Sequence, residues 1–388
     1  MLEKTVFCAV SSREEDPMPS TLPIKQINRN QIYRYIYKNQ KVSQQDIADG
    51  LGLSMPTVGQ NLSTLRELGL IREAGTFDST GGRKARAFCC EKEARIALGL
   101  DLTANHISLV AIDMEAHLLY SNRIRLRYTD SLFYYATLGK LVDSFIEENR
   151  LDRSRILGLG ICLAAIIAKD QKTVQSARLI GAPRDLYQKL KPHISLPFRL
   201  FNDANSGGFA EWWNMEQERT IIYLSLSNSV GGAMVSSRRL YLGDNQKSCE
   251  FGHVTLIPDG RPCYCGQKGC LNAYCSANLL SDLTGGQLGD FFDRVEEKQA
   301  PYVAAFREYM NYLAIAVNNL RMQYDCDIIL GGYVGPYMTD YLKVFREMVA
   351  KRNGFREPRP YVFTCRYRFE TAAIGAALYY IDRFIRNI

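Results

Sequence analysis

The chain has 388 residues, of which 46% are hydrophobic and 23% charged, an ordinary balance for a globular protein of two or three domains. It contains no run of about 18 apolar residues, and no basic segment followed by an apolar run opens it, so we expect neither a membrane span nor a secretory signal. Eleven cysteines, an odd and mostly scattered set, are typical of reduced thiols in a cytoplasmic protein.

The formal net charge of +7 is concentrated near the N-terminus. Between Ser20 and Cys90 the sequence has ten Lys or Arg residues and five Asp or Glu residues. This local excess of positive charge indicates that the N-terminal part contacts nucleic acid.

Residues 1–20 are mixed polar sequence with two prolines and are expected to form a loose arm. A helical pattern then runs from about Ile27 to Lys38. The next segment, Ser43-Gln-Gln-Asp46, has the spacing of a capping box and predicts a short helix that stops at Gly52.

A third helix is predicted from Ser54 as its N-cap, with Pro56 in the first turn and a core stripe of Val58, Leu62 and Leu65. A short helix, a tight turn and a second helix with a polar outer face are typical of a helix-turn-helix. The side chains expected to face outward and to read the major groove are Thr57, Gln60, Asn61 and Thr64. An ordinary solvated helix face is the alternative.

After this helix the sequence predicts a strand, a glycine-containing turn and a basic strand. This is the pattern of a β-ribbon wing, and Arg83 and Lys84 near its tip would contact phosphates or a narrow minor groove. Residues 21–92 are therefore predicted to form a winged helix-turn-helix domain of the α+β class.

From Ile96 onward, strand-like and helical segments alternate in two similar batches, which predicts a two-lobed α/β domain over residues 95–388. Helices are expected near residues 135–149, 300–323, 335–351 and 372–388.

Three cysteines cluster as Cys263-x-Cys265-x4-Cys270, and His253 lies ten residues upstream. Three thiolates and one imidazole can form a closed tetrahedral shell for Zn²⁺, so the pattern predicts a structural zinc site with no open position. Neighbouring glycines supply the tight turns that such close ligands need. A chance clustering of core cysteines is the alternative.

Five stretches, in this order, resemble the ROK family (repressors, open reading frames and kinases) over nearly the whole chain. They are the winged helix with Gly81-Gly-Arg-Lys-Ala85, then Asn202-Asp-Ala-Asn205, Glu250-Phe-Gly-His253, Cys263 to Cys270, and Leu330-Gly-Gly332 with the closing Ala373-Ile-Gly-Ala-Ala helix.

The resemblance implies a two-lobed, actin-like or RNase H-like sugar-kinase fold. The small lobe would comprise residues 95–200 with the C-terminal helix 372–388, and the large lobe residues 201–371. In the family, the position of Asp203 activates a sugar hydroxyl, those of Asn202 and Glu250 hold sugar hydroxyls, and that of His253 ligates zinc and can touch the sugar. The zinc turn would brace this pocket.

The sequence departs from the family's kinases at both phosphate-binding loops. Asp101 is followed by Leu102-Thr-Ala-Asn-His106 without a glycine pair, and the second loop, Ser227-Asn-Ser-Val-Gly-Gly-Ala233, has side chains in place of several glycines. We therefore expect crowding of the space for a nucleotide, loss of phosphoryl transfer and no enzymatic activity. Asn272, where the family's sugar binders have Glu, leaves the identity of the ligand open.

Together these features predict a transcription repressor that binds operator DNA as a homodimer or homotetramer and is controlled by a sugar or sugar-phosphate effector. Two alternatives remain. The chain could be an active ROK sugar kinase that also carries a winged helix, or a ligand-independent DNA-binding protein that uses the ROK domain as a dimerisation scaffold.

Overall fold

The structure is a computed structural model that describes residues 24–77, 85–213, 215, 219–237, 239–368 and 370–388. The chain divides into two units, Met1–Lys92 with Arg383–Ile388, and Glu93–Asp382. The arm predicted for residues 1–20 lies outside the described residues. Within the described ranges, every helix is too short or too polar to cross a membrane.

In its described residues up to Lys92, the first unit has three helices and a small antiparallel sheet with strand order β1-β3-β2. Its elements are α1 (Ile24–Asn39), β1 (Val42–Ser43), α2 (Gln44–Leu51), α3 (Met55–Glu67), β2 (Ile71–Thr76) and β3 (Arg86–Cys90). Ser43 caps α2 in a reciprocal capping box with Asp46, and Gly52 ends that helix in the left-handed conformation. Ser54 caps α3 by accepting from the Thr57 amide. The predicted winged helix-turn-helix is confirmed.

The C-terminal residues complete this first unit. The side-chain amide of Gln26 donates to the Asn387 carbonyl at 3.1 Å, and that of Asn30 donates to the Ile385 carbonyl. The last residues of the chain are thus hydrogen-bonded to α1, which the sequence gave no reason to expect.

The first lobe of the second unit is a five-stranded sheet with the order β10-β7-β4-β5-β6, in which β4, β7 and β10 run parallel. Its elements are β4 (Ile96–Leu102), β5 (His106–Ile112), β6 (Leu118–Arg125), α4 (Leu132–Glu148), β7 (Ile156–Leu163), β8 (Ile166–Ile167), β9 (Val174–Ser176), α5 (Leu186–Leu190) and β10 (Phe198–Asn202). Apolar side chains of α4 and of the sheet form one buried core.

The second lobe is a five-stranded mixed sheet with the order β13-β12-β11-β14-β15. Its elements are α6 (Asp203–Trp213), β11 (Ile221–Leu226), β12 (Val230–Ser236), β13 (Arg239–Leu240), α7 (Asn272–Cys275), α8 (Asn278–Ser281), α9 (Leu288–Glu296), α10 (Ala300–Tyr324), β14 (Asp327–Gly331), α11 (Met338–Ala350) and β15 (Val362–Thr364). The last helix, α12 (Thr371–Arg386), follows, and its Ala373 and Ala376 carbonyls lie against Gly99 of β4 and Gly160 of β7 in the first lobe. An aromatic-rich core lies between the sheet and helices α9, α10 and α11.

The closing helix α12 packs tightly against neighbouring backbone. A Cβ atom added to Gly375 would lie 1.7 Å from the carbonyl oxygen of Ser206 in α6, a distance that no real contact allows. The glycine at this position therefore sets how closely α12 approaches α6.

Candidate functional sites

The outer face of α3 is the candidate DNA-reading surface. Val58, Leu62 and Leu65 are buried as the sequence predicts, Gln60 is exposed, and Thr57 and Thr64 are half-buried at the edges of the face. The Thr64 hydroxyl donates to the Gln60 carbonyl at 3.2 Å. Gln60 is the member of the predicted set whose side chain is most open to a groove.

The predicted outward orientation of Asn61 is wrong. Its side chain is only 9% exposed, and its side-chain amide donates to the Thr57 carbonyl at 2.8 Å. It lies three residues after Val58 and therefore on the buried stripe, where a bond back to its own helix satisfies its polar group. Ser63, two residues later, is half-buried, and its hydroxyl donates to Glu67 at 3.0 Å.

The wing is described at its base only. Strands β2 and β3 pair from Ile71 opposite Cys90 to Thr76 opposite Arg86. Arg86 and Arg66 both pair with Glu73 at 3.0 Å, so these two cations are partly neutralised. The predicted phosphate-contacting residues Arg83 and Lys84 lie outside the described residues.

A cavity of about 460 Å³ brings the four predicted ligand-binding residues together. Asn202 and Asp203 enter it where β10 ends and α6 begins, at the carboxyl edge of the parallel strands, a usual place for ligands in α/β sheets. Glu250 and His253 enter from the short turn that follows β13. We call this space the Glu250 cavity.

Asn202 is engaged in structural hydrogen bonds. Its side-chain nitrogen donates to the Ala165 carbonyl at 3.0 Å, and its side-chain oxygen accepts from the Asn205 amide at 2.8 Å. The side chain is therefore held rigidly at the cavity wall, where it also fixes the start of α6.

The two carboxylates of the Glu250 cavity are half-buried. Burial raises the pKa of Asp203, although main-chain amides at the start of α6 partly oppose this shift. Burial also raises the pKa of Glu250, and the negative charge of Asp203 raises it further. Carboxylates in such surroundings gain much by accepting hydrogen bonds from ligand hydroxyls.

Two cationic side chains that the sequence reading missed also line this cavity, Arg178 and Lys247. Both are exposed, and the guanidinium of Arg178 donates to the Cys265 carbonyl at 3.1 Å. Both lie in segments without a recognisable motif, so only the folded chain reveals that they share a cavity with Glu250.

Asn272 is buried and does not line the Glu250 cavity. Its side-chain oxygen accepts a hydrogen bond of 2.8 Å from the amide of Val230, the first residue of β12. In this chain the residue therefore anchors a strand, and its difference from Glu does not change the lining of the cavity directly.

His253, Cys263, Cys265 and Cys270 form the candidate metal centre. Their four ligand atoms all lie within 4.8 Å of one another. The Cys265 and Cys270 sulfurs are 3.8 Å apart, and the Cys263 sulfur is 3.9 Å from His253 Nδ1. These separations suit one Zn²⁺ ion with bonds of about 2.0–2.3 Å to tetrahedral ligands.

Contacts around the four ligand residues hold this cluster in position. The other ring nitrogen of His253, Nε2, lies 3.1 Å from the Tyr264 hydroxyl, as is usual for a metal-ligating histidine. Gly269 has a φ of +77°, and an added Cβ would meet the Ile257 carbonyl oxygen at 1.8 Å. Only glycine can take this position, which brings Cys270 back beside Cys265.

A second cavity of about 350 Å³, the Asp101 cavity, shares Ala164, Leu179, Asp203 and Ser229 with the lining of the Glu250 cavity. Burial and the charge of Asp203 raise the pKa of Asp101 to about 7. Ser227 and Ser229 of the second loop and Tyr333 also line it. Side chains of both loops line this space and leave about 350 Å³ of it open, so the expected crowding stays a prediction.

The first loop is a closed turn without glycine. The Thr103 amide donates to the His106 carbonyl at 3.0 Å, and the Thr103 hydroxyl accepts from the His106 amide at the same distance. The turn thus holds its own polar groups together, in contrast to a glycine-rich loop that wraps phosphates with its amides.

Comparison with known proteins identifies the family and the N-terminal domain type of this chain. The ROK family profile matches residues 97–383, and a winged helix-turn-helix DNA-binding profile matches residues 26–72. Because the first match covers well over half of the sequence, the chain belongs to the ROK family. With its N-terminal domain, it is a DNA-binding transcription regulator of that family, as the sequence resemblance predicted.

The relatives include regulators and kinases. The xylose repressor of Bacillus subtilis (strain 168) is 26% identical over 344 residues, which are 87% of this chain and 85% of the repressor. The DNA-binding transcriptional dual regulator NagC of Escherichia coli (strain K12) is 25% identical over 272 residues, 68% of this chain and 67% of NagC. The glucokinase of Streptomyces coelicolor is 27% identical over 188 residues, 48% of this chain and 57% of the kinase.

Solved structures share the fold. A ROK family transcriptional regulator, described as a homologue of the E. coli MLC protein, superposes with a TM-score of 0.73 at 18% identity and covers 94% of this chain and 97% of its own. A ROK family glucokinase from Streptomyces griseus in complex with glucose and AMPPNP superposes with a TM-score of 0.62 at 21% identity, over 73% of this chain and 98% of the kinase. The predicted two-lobed kinase fold is confirmed.

Proposed function

We propose that the protein is a sugar-responsive transcription repressor that has lost phosphoryl transfer. The observation that carries this proposal is the presence, in one chain, of a recognition helix with an exposed outer side chain and of a cavity in which the half-buried Asp203 and Glu250 lie together. The first feature suits operator DNA, and the second suits a ligand with neighbouring hydroxyl groups.

The Glu250 cavity would hold the effector by hydrogen bonds alone. The carboxylates of Asp203 and Glu250 accept from ligand hydroxyls, and Asn202 is held at the cavity wall by its bonds to Ala165 and Asn205. As a ligand of the metal, His253 would mainly hold the wall of the Glu250 cavity in place. Arg178 and Lys247 add positive charge, which favours a sugar that carries a phosphate or an acid group.

Loss of phosphate contacts supports the absence of kinase activity. Phosphoryl transfer depends on positioning and on neutralisation of charge, and the first loop lacks the glycine pair and closes through hydrogen bonds between Thr103 and His106. The buried carboxyl of Asp101 lies in the same space. The open Asp101 cavity, bordered by Asp203, nevertheless favours an active sugar kinase as the second candidate.

We infer that the cluster of His253, Cys263, Cys265 and Cys270 holds a structural Zn²⁺ ion. The ion would supply a cross-link between the turn after β13 and the loop that carries Cys265, and this loop also borders the Glu250 cavity. All four positions of a tetrahedral ion are taken by protein, which leaves none for a reacting group.

Control by a ligand requires that the effector bind two states of the protein with different affinities. Regulators with this helix-turn-helix read paired half-sites, so we propose a homodimer or a homotetramer that acts on operator DNA in the cytoplasm. The third candidate is a ligand-independent DNA-binding protein that uses the ROK domain as a dimerisation scaffold.

A thermal-shift screen of neutral and phosphorylated sugars on the full-length protein tests the ligand part. We expect a rise in Tm of several degrees with one sugar class, because ligand in excess over its Kd stabilises the folded state. Glu250→Gln and Asp203→Asn should abolish the rise, and Glu347→Gln, on the exposed surface of α11, should leave it unchanged. If no sugar raises the Tm, the scaffold reading replaces this proposal.

The same sugar, offered with ATP and Mg²⁺ in a coupled assay of ADP release, separates receptor from kinase. The proposal expects no turnover above the background without sugar. Sugar-dependent turnover that Asp203→Asn removes would establish the kinase instead.

A further inference from the structure

The first turn of the recognition helix α3 carries an exposed apolar surface. Met55, the first residue of α3, is 40% exposed, and Pro56 beside it is exposed as well. Residues 54–61 contain no Asp, Glu, Lys or Arg. Because Cα–Cβ bonds in a helix tilt toward its N-terminus, the side chains of this turn extend toward that end of α3. In a helix-turn-helix, the N-terminal residues of the recognition helix contact the base edges.

The hydroxyl groups at this end of α3 are engaged with each other. The Ser54 and Thr57 hydroxyls form a hydrogen bond of 2.8 Å, and the Ser54 oxygen also accepts from the Thr57 amide at 3.3 Å. One hydroxyl proton and two acceptor positions are therefore used inside the protein, where they cap the helix. The surface that this capping leaves for a partner consists mainly of the Met55 thioether chain and the Pro56 ring.

The neighbouring helix α2 holds this end of α3 in position. The side-chain nitrogen of Gln44, the first residue of α2, donates to the Met55 carbonyl at 2.8 Å. The same nitrogen passes close to Gly59, where an added Cβ would meet it at 2.9 Å. The absence of a side chain at Gly59 thus leaves room for Gln44, and Gln44 fixes the backbone of Met55. The exposed side chains of Met55, Pro56 and Gln60 are presented from this fixed backbone.

An apolar side chain in this place has a specific counterpart in the major groove of DNA. The C5 methyl group of thymine lies there among the hydrogen-bond donors and acceptors of the base edges, and apolar side chains contact it. Such a contact removes apolar surface of both partners from water, and it is lost when the methyl group is absent. Phosphate contacts, in contrast, come from charged or polar side chains and carry no direct sequence information. The chemistry of Met55 therefore suits a base and not the DNA backbone.

We propose that Met55 contacts the C5 methyl group of a thymine in the operator, near the base that Gln60 contacts, and so helps to set the sequence preference of the protein. Pro56 would complete the apolar surface around this methyl group. The inference needs the DNA-binding function that the winged helix and the family define, and it does not depend on control by a sugar. The competing explanation is that Met55 is one of the single apolar side chains that any protein surface carries.

The test is fluorescence anisotropy of the full-length protein, without sugar, on two forms of one labelled duplex that the wild type has selected from random DNA. In the second form, deoxyuridine, which lacks the C5 methyl group, replaces every thymidine. The wild type should bind the uracil form about fivefold more weakly, the order of magnitude expected for the loss of one methyl contact. Met55→Ala should bind the thymine form more weakly by a similar factor and should bind both forms nearly equally.

Two further variants serve as controls for this test. Met55→Leu keeps an apolar side chain and should still prefer the thymine form. Leu68→Ala removes an apolar side chain that is 46% exposed at the opposite end of α3, and it should keep the wild-type ratio of affinities. Thermal unfolding of each variant confirms that it is folded before the titration.

Three results would overturn the proposal. Equal affinity of the wild type for the two forms would show that the protein reads no thymine methyl group. A wild-type ratio retained in Met55→Ala would assign the methyl contact to another residue. Failure of the wild type to select any duplex would contradict DNA binding itself. Control by a sugar is decided separately by the thermal-shift screen, so its failure would leave the ratio of the two affinities unchanged.

Discussion

At the scale of single residues, burial separates the carboxylates of this protein from ordinary surface acids. Asp101 lies beside Asp203 and the Cys162 thiol, whose sulfur is 3.7 Å from its Oδ1. Its pKa is raised to about 7 mainly by burial and then by Asp203. No sequence pattern predicts the raised pKa of Asp101, because the residues that cause it lie on β4, β7 and α6, which are distant along the chain.

Asp101→Asn should change the pH dependence of stability. A folded pKa above the unfolded one means that the folded protein binds the extra proton between about pH 4 and pH 7, so the stability of the wild type falls as the pH rises through that window. The Asp101→Asn variant has no carboxyl group here to titrate, so it does not lose this stability as the pH rises. Relative to wild type it should gain roughly 1–3 kcal/mol between pH 5 and pH 8 in the unfolding of the second unit. Denaturant titration followed by Trp212 and Trp213 fluorescence measures it, and parallel pH profiles for the two proteins would contradict it.

Cys265→Ser should release zinc and loosen the loop that carries residues 263–270. Wild type should contain about one zinc per chain by elemental analysis. The variant should contain far less and should be cleaved faster in this loop by protease. Cys89→Ser, a half-buried thiol of the first unit, serves as the control and should retain full metal. Metal-free wild type of undiminished stability would contradict the metal assignment.

At the scale of elements, sequence patterns predicted the strongly periodic parts and missed those fixed by packing. The caps at Ser43 and Ser54 and the helix ends near Asn39 and Ala350 follow from local chemistry, and the structure has them. Helix α9 escaped notice because it is only nine residues long, and Phe291 and Phe292 show their burial only against α10. Asn61 was misplaced because its polar character concealed a buried helical position.

Gln60 and Asn61 in α3 should therefore respond differently to replacement. Gln60→Ala should weaken specific DNA binding by about 1–3 kcal/mol and leave the Tm unchanged, because its exposed amide is free to pair with a base. Asn61→Ala should lower the stability of the first unit by about 1–2 kcal/mol through the loss of its bond to Thr57. Anisotropy titration and thermal unfolding of both variants check this. Weaker DNA binding by Asn61→Ala together with lower stability of Gln60→Ala would show that Asn61 faces outward after all.

Gly375→Ala should destabilise the second unit by about 2 kcal/mol or more, although alanine is ordinarily the better helix former by about 1 kcal/mol. The added methyl group has no space beside Ser206. Gly289→Ala in α9 is the matched control, because its Cβ would meet only the Tyr337 hydroxyl at 3.7 Å, and this change should be neutral or stabilising. Equal stability of the two variants would show that α12 can shift away from α6.

At the scale of the whole molecule, two functions share one chain, and the sequence predicted both domains because each carries its own motifs. The winged helix is marked by caps, glycines and local charge, and the ROK unit by Asn202-Asp203, Glu250 to His253 and the cysteine turn. The cations of the Glu250 cavity were not predictable in this way. Arg178 and Lys247 belong to no motif, and only the folded chain brings them to the same cavity as Glu250.

The central claim is that this protein is a receptor which acts on DNA. Its most direct test is fluorescence anisotropy of the full-length wild type on a labelled fragment of its own upstream DNA, with and without the sugar found in the thermal-shift screen and without ATP. The account predicts sequence-selective, salt-sensitive binding whose affinity the sugar changes at least fivefold, and loss of that response in Glu250→Gln with sugar-free affinity retained. Binding that is absent, or equal on unrelated DNA, or unaffected by every sugar that stabilises the protein would contradict it.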